Sequence, residues 1–350
     1  MGSIPTRPRH LQRPGGGSCS TGPVVDVIAL ATERQSTRQL EKVWVILNPS
    51  ASGGRGLRLQ PAIEETLARR AVPFTLVRSE GPGHVEALSR EAKGEGADLI
   101  LAVGGDGTVH EVANGVLADD GKPPPMGVVP VGTGNDFMRM IDPRGRGRFI
   151  LERLLAGQPR PFDVGRVRFD GGASYFVNLL GVGIDVEVLR KRADFRRLKG
   201  LPQYLAALIS ALVTFRPESF RVSLRGGVGR AEEIIEERTI LTAVTVGPSV
   251  GGGFLLNPDA KPDDGALDLF FVKTLGMMKI ARYIPRVIRG THGGIPEILQ
   301  RQIVRAKVER SDGGAFIFEM DGDRMPDPVR RLEIDVCPGV LPVLLPGGDG

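Results

Sequence analysis

The chain has 350 residues, 41% hydrophobic and 25% charged, which is an ordinary globular composition and enough length for two domains. The net charge is +5, but the first forty residues hold five arginines against only Asp26 and Glu33, so the excess is largely local and does not argue for nucleic acid. Cys19 and Cys337 are too few and too far apart for a disulfide framework or a metal site, which fits a reducing compartment.

Residues 1–22 are rich in Pro, Gly, Arg and Ser and are expected to be disordered. Residues 24–31 form a short apolar stretch carrying Asp26, which argues against a signal peptide and suggests one extra element of open type. No apolar run reaches membrane-spanning length. The 48 glycines and 27 prolines imply many turns.

Lys42-Val43-Trp44-Val45-Ile46-Leu47 reads as the first strand. It runs into Asn48-Pro49-Ser50-Ala51-Ser52-Gly53-Gly54, ahead of a helical pattern with Leu59, Ile63 and Leu67. A loop of small residues at a strand's C-terminal end is where α/β sheets bind ligands. The plainer reading is a linker, which needs neither the Asn-Pro start nor the closing glycines. Phe74-Thr75-Leu76-Val77-Arg78 is a second strand ending at Ser79, with a helix over about 83–92. Leu99-Ile100-Leu101-Ala102-Val103 is a third, buried strand. It enters the turn Gly104-Gly105-Asp106-Gly107-Thr108, ahead of a helix with Val109, Val112, Ala113 and Val116 on one side.

That turn organises the chain. Its glycines let backbone N–H groups approach an anion, and a helix N-terminus behind it favours negative charge. A bare carboxylate at Asp106 would repel phosphate, so it fits a metal-mediated role; alternatively it caps the helix of a tight α/β turn. The sequence is neither a Walker loop nor a dinucleotide fingerprint. Met126-Gly127-Val128-Val129-Pro130 is a fourth strand, delivering Val131-Gly132-Thr133-Gly134-Asn135-Asp136-Phe137. Parallel strands ending in such loops converge on one cleft. After Pro159 and Pro161 short strands dominate, at 163–168, 175–180, 220–224, 240–246, 266–272, 303–308, 316–319 and 332–336, which suggests a sandwich or distorted barrel. Helices are expected at 202–215 and 277–289. The first is apolar nearly all round, so most of it is expected to pack in the core.

The Gly-Gly-Asp-Gly-Thr turn resembles one shared by NAD kinases, phosphofructokinases and the diacylglycerol and sphingosine lipid kinases. Further segments narrow this: Asn48-Pro49 with Gly53-Gly54, Gly132-Thr133-Gly134-Asn135-Asp136-Phe137, Asn178-Leu179-Leu180-Gly181-Val182-Gly183-Ile184-Asp185, Asp263-Asp264-Gly265-Ala266-Leu267-Asp268 and Asp321-Gly322-Asp323. In this order they resemble the bacterial diacylglycerol kinase-like lipid kinases from about residue 42 to the C-terminus.

The resemblance implies an N-terminal α/β nucleotide-binding domain, NAD kinase-like with a mostly parallel sheet, and a C-terminal β-sandwich domain. The expected division is a basic tail over 1–40, an ATP-binding domain over 41–160 and a lipid kinase domain over 161–350, whose last strand returns to the first domain. It implies transfer of the ATP γ-phosphoryl group to a lipid hydroxyl, with diacylglycerol as the leading acceptor. A sphingoid base or other lipid alcohol, an NAD kinase-type substrate and a non-enzymatic nucleotide binder remain as alternatives.

By similarity, ATP would meet Asn48, Pro49, Gly53, Gly54, Ser79, Gly105, Asp106, Gly107, Thr108, Val109, His110, Glu111 and Thr133. Asp106 and Asp136 would be catalytic carboxylates near Mg²⁺; Asp136 alternatively caps a helix. The family pattern Asp-Gly-Glu supplies a general base, and this chain has Asp323 there, one methylene shorter. A structural Mg²⁺ would take carbonyls of Lys261 and Ala266 and the side chain of Asp264, with Asp163 acting through water; an ordinary β-turn is the alternative.

The basic run Arg190, Lys191, Arg192, Arg196, Arg197 and Lys199 precedes the first apolar helix and suits an anionic membrane surface, or else a solvated face. The expected partners are a lipid substrate at a membrane surface and a second copy in a homodimer, with no nucleic acid. The expected location is the cytoplasm, with peripheral membrane association.

Overall fold

Each of the first four strands is a short apolar run with helices on either side, the pattern of a parallel sheet covered on both faces. The structure, a computed structural model, describes residues 40–132, 134–142, 150–195, 197–198, 200–227 and 231–347. The expectations for residues 1–31, Thr133, Arg196 and Lys199 lie outside these. β1 (Val43–Leu47) is buried throughout, and α1 (Arg55–Arg69) turns Ile63 and Leu67 into the core. β2 (Phe74–Arg78), α2 (His84–Gly94), β3 (Leu99–Gly104), α3 (Asp106–Leu117) and β4 (Met126–Pro130) follow, then the short helices α4 (Asp136–Ile141) and α5 (Ile150–Leu155). The order β2-β1-β3-β4 is parallel, with Val45 opposite Leu76 and Leu101, and Ala102 opposite Val128. The C-terminal ends of β1, β3 and β4 therefore share one edge.

The second half comprises β5 (Gln158–Phe169), β6 (Gly172–Phe176), β7 (Leu179–Gly183), α6 (Ile184–Arg192), α7 (Leu201–Thr214), β8 (Glu218–Arg225) and β9 (Glu232–Thr245). Then come β10 (Ser249–Val250), β11 (Phe254–Leu255), β12 (Leu267–Lys273), α8 (Met277–Ile288), β13 (Ile298–Ile303), β14 (Arg305–Arg310), β15 (Phe318–Met320), β16 (Asp323–Arg324) and β17 (Arg331–Leu345). Its strands pair antiparallel around a core that includes Phe176, Val222, Phe271, Phe318 and Ile334. β17 runs antiparallel to β5 and β14 and then reaches β4 in parallel at Val343 and Met126, joining both halves in one sheet.

Several local expectations are corrected. The strand expected over 175–180 is two strands, because the N–H groups of Val177 and Asn178 turn to the carboxylate of Asp321. The span 303–308 also divides, at Val304, whose N–H pairs with Arg225. α7 packs one face only: Ala207 and Ala211 are buried and Leu201, Tyr204, Leu205, Leu208 and Leu212 pack partly buried against the core, while Ile209 and Val213 are exposed. Ile209 and Val213 lie on an apolar face that no described residue covers.

Candidate active site

A cleft of about 550 Å³ opens at the shared strand edge and is walled on its far side by residues of α6, α7 and the β15–β16 hairpin. On the near side, Asn48 donates from Nδ2 to Thr108 Oγ1 at 3.1 Å and accepts the Ser50 N–H at 3.0 Å, fixing the first loop to the second. Ser50, Ala51 and Ser52 line the cleft, while Gly53 and Gly54 turn the chain into α1 at φ of 67° and 87°, the left-handed region that glycine tolerates. Pro49 lies in the same loop. Ser79 lines the cleft, and its N–H bonds the Leu47 carbonyl at 2.9 Å.

The central turn and the loop after β4 are in contact. A Cβ at Gly132 would stand 2.8 Å from Cα of Gly105, so neither loop can carry a side chain there. Asp106 opens α3 and accepts the Phe137 N–H at 3.2 Å. Asp136 opens α4 and accepts from the Gly252 N–H and Arg139 Nη1, each at 2.7 Å. The two carboxylates flank Gly134: a Cβ there would lie 2.8 Å from Asp106 Oδ2 and 3.5 Å from Asp136 Oδ2. Burial, reinforced by the charge of Asp136, pushes Asp106 up to about 6. Burial also raises Asp136, opposed by the Gly252 N–H and by Arg139. Two adjacent carboxylates beside a helix N-terminus, Asp136 buried and Asp106 half-buried, are the donor set that a hard divalent cation relieves. The residues present thus fit Mg²⁺.

Gly105, Gly107, Thr108 and Glu111 line the cleft, but Glu111 also accepts the N–H groups of Gly83 and Val85 at the start of α2. Val109 is in the core. His110 is buried behind the cleft, its Nδ1 2.7 Å from Asp321 Oδ2. Asp321 has φ of 49° and accepts three further backbone N–H groups, from Val177, Asn178 and Leu179. Past this turn, Asp323 Oδ2 lies 3.7 Å from where a Cβ on Gly107 would stand, so the hairpin carboxylate faces the first turn of α3.

The cleft also gathers residues the sequence did not single out for it: Tyr204, Gly252, Glu319 and, from the basic run, Arg192. Asp185 was visible only as the end of a motif, and it accepts the Tyr204 hydroxyl at 2.5 Å. Arg190, by contrast, is exposed and paired with Glu187.

The second expected metal position lies apart, around the turn before β12. Asp163 accepts the N–H groups of Gly265 and Gly339, each at 2.7 Å, and Asp264 accepts that of Ala266 at 3.2 Å. Gln302 donates to the other oxygen of Asp264. Asp268 holds a buried Oδ2 with no hydrogen-bond partner, and burial with the charges of Asp264 and Asp259 pushes it up to about 6. An orphaned, charge-crowded carboxylate beside the carbonyl-bearing loop of Lys261 and Ala266 suits a hard cation, although among the described residues no three His, Cys, Asp or Glu side chains converge.

Residues 42–167 match the diacylglycerol kinase catalytic domain, and residues 178–345 match the YegS C-terminal NAD kinase beta sandwich-like domain. A diacylglycerol kinase of Bacillus subtilis (strain 168) is 31% identical over 243 residues, covering 69% of this chain and 76% of the relative. A diacylglycerol kinase of Mycobacterium tuberculosis (strain ATCC 25618 / H37Rv) is 28% identical over 311 residues, covering 88% and 96%. The crystal structure of a diacylglycerol kinase from Bacillus anthracis str. Sterne superposes with a TM-score of 0.66 at 23% identity, covering 88% and 97%, which shows a shared fold.

These matches define a kinase with an alcohol acceptor. The chain belongs to the diacylglycerol kinase-like family of lipid kinases, and that family implies ATP as its phosphoryl donor.

Proposed function

We propose that this lipid kinase phosphorylates diacylglycerol to phosphatidic acid at a membrane surface. The observation that carries the reading is the meeting, in one cleft, of a glycine-rich anion edge with three carboxylates, Asp106, Asp136 and Asp323, beside an apolar cavity. Residues 41–160 would bind the nucleotide and 161–350 the acceptor. The N–H groups of loop 48–54 and of the start of α3 would hold phosphate oxygens, with Arg192 adding positive charge. Asp106 and Asp136 would hold Mg²⁺, which supplies charge neutralisation and alignment when bound. Asp323 would accept the proton of the acceptor hydroxyl as its oxygen bonds the γ-phosphorus and the bond to the ADP oxygen breaks. Asp264, with carbonyls of Lys261 and Ala266, would hold the second, structural ion.

The lipid side of the reading rests on Tyr204. Its hydroxyl points to Asp185 in the polar cleft, and its ring lines an apolar cavity of about 100 Å³ formed with Leu208, Phe254, Phe270 and Ile284. This cavity suits the start of an acyl chain. On the same two helices, Ile209 and Val213 of α7 and Met277 and Met278 of α8 are 56%, 68%, 52% and 89% exposed, with Arg282, Arg286 and Arg289 in or beside α8. Exposed apolar groups among cations suit an anionic lipid surface. Among the described residues no helix is long and apolar enough to cross a membrane.

Incubation with γ-labelled ATP, Mg²⁺ and a total lipid extract tests the proposal. Label in phosphatidic acid is expected. Label in a sphingoid-base phosphate or another lipid, with none in phosphatidic acid, contradicts it.

A further inference from the structure

The rear wall of the cleft holds a carboxyl group that the chemistry above does not use. Glu319 lies in the middle of β15, opposite Gly181 of β7 and Arg324 of β16, and is buried. Its Oε2 accepts the Gly322 N–H at 2.9 Å, and its Oε1 meets no N–H or hydroxyl donor. Its neighbour is Asp185 at the start of α6. A Cβ at Gly181 would stand 2.8 Å from Glu319 Oε1 and 2.9 Å from Asp185 Oδ2, so the two buried carboxyl oxygens crowd the same space. The missing side chain at Gly181 is what admits the pair. Asp185 uses its other oxygen for the Tyr204 hydroxyl.

The remaining charges nearby do not relieve this contact. Asp321 adds negative charge, and the positive charge of Arg192 is felt at Tyr204. No ion pair engages Glu319 among the described residues. Two carboxylates buried this close cannot both ionise, whereas one proton between them turns repulsion into a strong hydrogen bond. Burial drives Glu319 to be the member that keeps the proton.

We propose that Glu319 is a protonated positioning residue, donating through Oε1 to Asp185 and accepting through Oε2 from Gly322, and so clamping the Asp321-Gly322-Asp323 turn against α6. Gly322 is the residue between the saturated Asp321 and the carboxylate facing α3, at φ of 89°. A clamp on its N–H sets the direction of Asp323. The inference rests on the role given to Asp323 under the proposed function.

The test uses the full chain and three proteins: wild type, E319Q and E319L. Glutamine keeps one donor and one acceptor and should retain near-wild-type kcat. Leucine keeps bulk but neither bond, and kcat should fall by up to about 10²-fold, the scale of a misplacement near 1 Å, with the KM for ATP unchanged. Infrared difference spectra of wild type against E319Q at about pH 8, where unperturbed carboxyls are ionised, should show a protonated-carboxyl C=O band in wild type alone. That band does not depend on Asp323 and should persist in D323N. Absence of the band overturns the proposal, even if E319L does not fold. Loss of activity in E319Q equal to that in E319L, or full activity in a folded E319L, also overturns it. If D323N keeps ordinary kcat while the band is present, the base reading fails and the shared proton stands.

Discussion

Nδ1 of His110 lies 2.7 Å from Oδ2 of Asp321 and ties the helix of the Gly-Gly-Asp-Gly-Thr turn to the hairpin that carries Asp323. The contact spans 211 residues of sequence. It is buried, and Asp321 also holds the N–H groups of Val177, Asn178 and Leu179 where the strand over 175–180 breaks. One carboxylate thus organises both walls of the cleft.

Removing that carboxylate strands four buried donors. Asp321→Ala should cost about 3–5 kcal/mol, the scale for breaking a buried, hydrogen-bonded charge. A urea unfolding series reads this as a lower midpoint at unchanged slope. An unchanged midpoint would remove Asp321 from its organising role.

Acid should weaken the fold through His292. This histidine is buried, donates from Nε2 to the Leu256 carbonyl at 2.9 Å and meets the ring of Phe270 edge-on. Burial holds its pKa below the ordinary value. The unfolded chain binds the proton near about pH 6.5 and the folded one only lower, so stability is full above that pH and falls as the pH drops through it toward the folded value. Urea midpoints between about pH 7.5 and 5.5 should fall in wild type and fall less in His292→Gln. Parallel curves would exclude His292 as a source.

Membrane docking through α7 and α8 is tested by changing Ile209, Val213, Met277 and Met278 to Ser together. Sedimentation with phosphatidylglycerol vesicles should show at least about tenfold weaker binding, since losing about 1.4 kcal/mol of apolar burial suffices. Salt should weaken wild-type binding as well. Activity on a detergent-dispersed short-chain acceptor should persist. Unchanged vesicle binding would leave this face as ordinary surface.

The parallel strands and their glycine-rich ends were legible because both are local patterns: Val43–Leu47 and Leu99–Gly104 are apolar throughout, and each precedes a run of small residues. The partners made by folding were not legible. Glu319 reads as an ordinary polar position in a short strand, and its meaning comes from Asp185 across Gly181. Arg192 reads as one of a cationic run, yet α6 turns it into the cleft while Arg190 faces solvent. His110 belongs to the central motif by sequence, but helical geometry aims it behind the cleft at Asp321. Apolar composition alone could not separate the buried from the exposed face of α7.

The central claim is that Asp323 works with Asp106 and Asp136 to move a phosphoryl group onto a lipid hydroxyl. Steady-state turnover of Asp323→Asn on diacylglycerol in mixed micelles tests it most directly, with Asp106→Ala as the folded, inactive control. The account predicts kcat lower by about 10²–10⁴-fold with little change in the KM for ATP, and a milder effect for Asp323→Glu. An Asp323→Asn enzyme with ordinary kcat would contradict it.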